Sequence, residues 1–171
     1  AESFRANLNV KPSMTISVPT TSVSFTLDPG SNPFATQDIN ITMGTNNRTG
    51  YWMTMTSATG DSDLVNVDDS TKTIPTLTTA GDYDSSSFEV NKWGYKVNNG
   101  NYTPFVSGSI IHQSNTTANG ELVKLTLGSK IDYLQSPGTY NIAFDIKTLP
   151  IMTTNYIQNL DPALCTEDPM V

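Results

Sequence analysis

Apolar and polar residues alternate in short runs along most of this chain, and each run closes on Gly, Asn, Asp or Pro. In Tyr140–Lys147 the side chains of Tyr140, Ile142, Phe144 and Ile146 fall on one face, with mostly polar residues between them. A period of two predicts strands with one buried and one wet face. The same pattern predicts strands around Met14, Ile16 and Val18, around Val23, Phe25 and Leu27, and around Ile39, Ile41 and Met43. Further strands are expected over Tyr51–Thr56, Phe88–Val97, Val106–Ile111 and Glu121–Ile131. Residues 57–87, rich in Asp, Ser and Thr, predict an irregular excursion with one or two minor strands.

The punctuation between the runs has a mechanism. In Asp28–Pro33, proline presets φ and Gly30 accepts positive φ. Asn98–Asn101 carries the strongest hairpin signal, because Asn-Gly supplies two residues that tolerate positive φ. Asn119-Gly120 and Ser136–Gly138 predict further turns. No window of helical length places apolar residues three and four apart. One helical turn is expected after Asp161, with Asp as N-cap and Pro162 at the first helical position. Many short strands with turns between them predict an all-β protein, an antiparallel sandwich or barrel. We divide the chain into an N-terminal extended segment (1–11), a sandwich (12–150) that ends at Pro150, and a short C-terminal tail or linker (151–171).

Composition narrows the function. The 171 residues are enough for one domain with a core and short for two. Charged residues make up only 15%, while Thr, Ser and Asn together supply 58 positions, a balance suited to pleated surfaces and turns. With a net charge of −7 and nine scattered cations, no basic face is available for nucleic-acid phosphates or for an anionic membrane surface. No apolar stretch approaches the length of a membrane-spanning helix. The single cysteine, Cys165, permits no intrachain disulfide, and its residue type reads as a small apolar filler. The start at Ala1-Glu2 fits a chain whose leader has been removed.

Several segments resemble the Ig-like surface domains of large secreted proteins from candidate-phylum bacteria such as Saccharibacteria. They are Pro12–Val18, Thr45–Tyr51, Lys92–Tyr95 and Pro137–Tyr140. The tail Tyr156–Cys165 resembles the segment that introduces a Fibrobacter-type paralogous domain in such proteins. The resemblance implies an Ig-like antiparallel β-sandwich with an appended tail, exposed on or secreted from the cell. It implies a structural or adhesive role and carries over no catalytic residue.

Candidate chemistry is sparse. His112 is the lone histidine and a candidate general base near a strand end; one histidine cannot build a His-rich metal site. Asp61, Asp63, Asp68 and Asp69 are weak calcium candidates. The EF-hand spacing fails among them, since Asn66 stands where Gly is needed and Lys72 where Glu is needed. Trp52, Trp93, Tyr95 and Tyr102 are candidate glycan-facing aromatics. Leu8 and Val10 alternate in the N-terminal segment and are candidates for strand exchange with a neighbouring sandwich. We therefore expect a non-enzymatic structural or adhesive building block without cofactor, whose partners are proteins, including copies of itself. A filament subunit that donates a terminal strand and a carbohydrate-binding module are the alternatives.

Overall fold

A computed structural model describes residues 2–3, 5–18 and 27–152. The expected strand at Val23 and Phe25, the helical turn after Asp161 and Cys165 lie outside the described residues. The described residues form ten strands: β1 (Met14–Ser17), β2 (Phe34–Thr45), β3 (Tyr51–Ser57), β4 (Leu64–Asn66), β5 (Thr73–Ile74), β6 (Lys92–Val97), β7 (Ser109–Ser114), β8 (Ala118–Lys130), β9 (Tyr140–Asn141) and β10 (Phe144–Pro150). One sheet has the order β1-β2-β8-β6, a second β10-β3-β7, and a small third β5-β4-β9; all of these pairs are antiparallel.

The protein is an all-β antiparallel sandwich of the Ig-like kind. The order β1-β2-β8-β6 matches the spatial order A-B-E-D of an Ig sheet, with the difference that β7 of the second sheet intervenes in the chain between β6 and β8. At the corner leading into β9 and β10, the Tyr140 hydroxyl donates to the Ser136 carbonyl at 2.8 Å, the arrangement of a tyrosine corner. In the second sheet β3 pairs with β10 on one side and β7 on the other. Among the described residues no strand lies beyond β10, the place where an Ig sandwich sets its last strand.

Alternation builds the core. Ile39, Ile41 and Met43 of β2 and Val123, Leu125 and Leu127 of β8 face Tyr51, Met53 and Met55 of β3 in one buried cluster. Trp93, Tyr95 and Phe105 extend that cluster, with the Phe144 ring 5.8 Å from Trp93 and 5.0 Å from Phe105. Toward the end that carries the β2–β3 turn, the core becomes polar. The Tyr51 hydroxyl donates to Glu121 at 2.8 Å, and His112 Nε2 lies 3.5 Å from the other carboxylate oxygen.

Three expectations need correction at the level of elements. The strand expected over Val106–Ile111 runs over Ser109–Ser114 instead. Asn119-Gly120 is no turn; it lies inside β8. Met43 pairs with Glu121 and Gly44 with Asn119, so Gly120, at φ +72°, is the extra residue of a β-bulge. The strand expected over Phe88–Val97 begins only at Lys92, because Phe88 leaves the ladder to enter a second aromatic cluster.

The β2–β3 turn joins several elements. Asn46 donates to the Lys11 carbonyl and accepts from the Ser13 amide, both at 2.8 Å, which fixes the entry into β1. Asn47 donates to the Ile151 carbonyl at 3.0 Å, and the Ile151 amide donates to the Gly50 carbonyl at 3.1 Å, which fixes the exit from β10. The start of β1 and the end of β10 are therefore held at the same turn.

Candidate functional site

The outer face of the four-stranded sheet carries a recessed surface feature. Residues directly opposite on β6 and β8 are Gly94 and Gly128, two strand glycines without side chains. A Cβ on Gly94 would meet Leu77 Cδ1 at 2.3 Å, and one on Gly128 would meet Tyr102 Cε1 at 2.9 Å. Strand-interior glycines mark a close approach, and here they seat Leu77 and Tyr102 flat against the sheet. The connections around residues 75–91 and 98–105 supply these covering groups. They are anchored to β6 by backbone bonds of Leu77 to Trp93 and of Thr103 to Tyr95.

Phe88 is the hub of this outer layer. Its ring stands 5.2 Å from Phe34, 5.6 Å from Tyr83 and 5.2 Å from Tyr102, the last two edge-on. Beside it opens a groove of about 430 Å³. Its lining combines the aromatic rings of Phe34, Tyr83 and Tyr102 with the charged side chains of Asp38, Asp84, Lys96 and Lys124. Thr36 and Thr126 add hydroxyls, and Thr126 donates to Asp38 at 2.7 Å. The Lys96 ammonium sits 4.9 Å from the centre of the Tyr102 ring, a cation–π distance. Burial, with the Asp38 charge as a smaller cause, raises the Tyr102 phenol above its ordinary value, so it stays protonated. Carboxylates, ammonium groups and hydroxyls ring an aromatic wall, a combination suited to a polar ligand with an apolar face.

Asp84 is held ionised well below the usual carboxylate range, chiefly by the Ser86 hydroxyl and then by the Ser87 amide and hydroxyl. Asp69, bonded by Thr71, and Asp132, bonded by Asn91, are lowered in the same direction. These groups favour the folded state above their ordinary value of 3.8, and that contribution is lost as pH falls below it. Thermal melts from about pH 6 down to about pH 3 should show a falling midpoint, and Asp84→Asn should flatten part of the fall. An unchanged slope in that variant would remove Asp84 from the account.

The structure distributes the sequence candidates unevenly. Tyr102 does line the groove, although it is only 4% exposed. Trp93 and Tyr95 are corrected: at 1% and 5% exposed they are core residues and face no ligand, because β6 turns them inward against Phe105. Trp52 is half-buried on the outer face of the other sheet, between Leu149 of β10 and Gln113 of β7. Asp61 and Asp63 line a second depression, also of about 430 Å³, with Ser70 and Thr73, whereas Asp69 bonds its own turn through Thr71. Among the described residues, no three His, Cys, Asp or Glu side chains converge to hold a metal. His112 meets Glu121 and packs 5.9 Å from the Tyr51 ring, between the sheets. Leu8 and Val10 are exposed.

Phe34, Asp38, Tyr83, Lys96 and Thr126 escaped the sequence reading. The usable signal was the pair of glycines inside otherwise regular strands, which asked what fills the space above them.

No family model and no curated protein matches the sequence. Among solved structures, a chain from a chaperone–tip adhesin complex of CFA/I fimbriae biogenesis aligns at a TM-score of 0.55 and 14% identity. The alignment covers 82% of this chain and 43% of that one, so this chain spans less than half its length. A family 123 glycoside hydrolase from Clostridium perfringens aligns at a TM-score of 0.38 and 16% identity, over 82% of this chain and 25% of its own. The first match is one of fold, and the second is too distant to carry an argument.

Proposed function

We propose that this chain is a non-enzymatic building block of a bacterial cell surface, secreted or displayed, that adheres through the groove on its four-stranded sheet. The observation that carries the proposal is the groove's lining: half-buried Phe34 and Tyr83 rings beside Asp38, Asp84, Lys96 and Lys124. A sugar offers the complementary surface, with C–H faces for the rings and hydroxyls for the carboxylates, threonines and ammonium groups. The fold shared with a chain of a chaperone–tip adhesin complex supports an adhesive role. The resemblance to surface domains of candidate-phylum bacteria supports the location.

Glycan-array screening followed by titration tests this. Tyr83→Ala is expected to weaken binding by about three- to tenfold, the range of one aromatic contact, and Asp38→Ala to weaken it further through the lost acceptor. Trp52→Ala, on the opposite sheet, should leave binding unchanged. Binding lost in Trp52→Ala and kept in the other two would move the site to the other face and refute the groove.

A further inference from the structure

We infer that the free edge of β10 accepts the N-terminal segment Arg5–Lys11 of a second copy as an added antiparallel strand. This rests on reading the chain as a structural building block and is independent of what the groove binds.

The acceptor is a sandwich short of one strand among the described residues. The sheet with β1 has four strands, and the sheet facing it has three, with β10 at its edge. Side chains that should be covered are not. Ile16 pairs with Met43, which is fully buried, so both point to the core side, yet Ile16 is 37% exposed. Ile142, Phe144 and Ile146 pack against the core but reach only partial burial. One more strand beside β10 would add cover to Ile146 and to the side of the sandwich on which Ile16 is exposed.

The donor is the segment before β1. Asn46 holds it at Lys11 and Ser13, at the same turn that holds the end of β10. Upstream, Leu8 is 91% exposed and Val10 72%, alternate residues on a run that belongs to no strand. Arg5–Lys11 has seven residues, as many as β10.

The register follows from the side chains. Leu8 and Val10 must join the inner face of β10, defined by Phe144, Ile146 and Thr148. In an antiparallel pairing, Val10 beside Ile146 and Leu8 beside Thr148 set Lys11 directly across from Asp145 on the outer face. A parallel pairing with the same residues inward sets Lys11 beside Leu149 and pairs no charges. Asp145 is at present 3.6 Å from Lys147, both exposed, so it is free to take a second cation. The antiparallel direction also identifies the donor as another molecule. Within one copy, β10 and the segment both run toward the β2–β3 turn and could lie only parallel. The chain's own residues 153–160 are a weaker occupant, since Tyr156, Ile157 and Leu160 break the period of two that a one-sided strand needs.

The full chain, studied by light scattering across a concentration series, should show association that is lost on removal of residues 1–11. A synthetic peptide of residues 5–11 should bind the shortened protein. Leu8→Glu with Val10→Glu lies outside the fold, so it should keep the melting temperature of the shortened protein while weakening association about tenfold or more. Lys11→Asp and Asp145→Lys should each weaken association, and the two together should restore it. A monodisperse monomer at every concentration, with no peptide binding, overturns the inference. Peptide binding that appears only after removal of residues 153–171 overturns it too, by assigning the edge to the chain's own tail. Either failure leaves the glycan result standing.

Discussion

Replacing Gly50 with alanine is expected to destabilise the protein by about 3 kcal/mol or more, although it adds a single methyl group. Gly50 adopts φ +87°, where an L side chain is strained, and its Cβ would fall 1.8 Å from the Ser114 carbonyl oxygen and 2.8 Å from Asn115 Cα. Both obstacles are backbone, so no rotamer change relieves them. The residue also holds the turn together: its amide donates to Asn47, and its carbonyl accepts from the Asn47 side chain and from Ile151. Gly60 is the internal control, because it has φ +83° with nothing within 4 Å of the added Cβ. Gly60→Ala should cost only the backbone penalty, about 1 kcal/mol. Urea unfolding of the two variants isolates the clash. Equal losses would show that the turn yields and that Gly50 is not a fixed joint between β1, β3, β7 and β10.

The alternation that predicts the strands is local, and where burial is one-sided it locates them well. Tyr51, Met53 and Met55 point inward and Trp52 outward, as a period of two requires. The same pattern misplaces function, because it cannot say which of two faces is core. Trp93 and Tyr95 alternate correctly, and only the pairing of β6 with β8 beside Leu127 and Ser129 shows that their face is the inner one. Asn-Gly at residues 119 and 120 supplies positive φ for a bulge as readily as for a hairpin, and the pairing with Met43 and Gly44 decides between them. The groove was illegible for a different reason. Phe34, Asp38, Tyr83, Lys96 and Thr126 come from distant parts of the chain and meet only when the connections around residues 75–91 fold over β6 and β8. Free strand edges are intermediate: Leu8 and Val10 stand out in sequence, but their proposed acceptor emerges only from the strand order.

Trp93→Ala is expected to cost about 3–5 kcal/mol, the range for removing a large buried aromatic side chain. The indole contacts the rings of Phe105 and Phe144 and donates from Nε1 to the Ser62 carbonyl at 3.0 Å. Its removal leaves a cavity beside three neighbours and a partnerless carbonyl. Trp93→Phe keeps most of the volume and loses the donor, so about 1–2 kcal/mol is expected. The larger loss should also have a direction in space. Through its backbone Trp93 pairs with Ser129 and binds Leu77, which belongs to the outer layer beside the groove. Through its ring it supports Phe144 at the start of β10, the edge that would take the added strand. Hydrogen exchange in Trp93→Ala should therefore speed up in both Thr76–Tyr83 and β10 before it does in β1 or β7. Protection lost uniformly over all strands would show that this side chain supports the fold as a whole and couples neither surface.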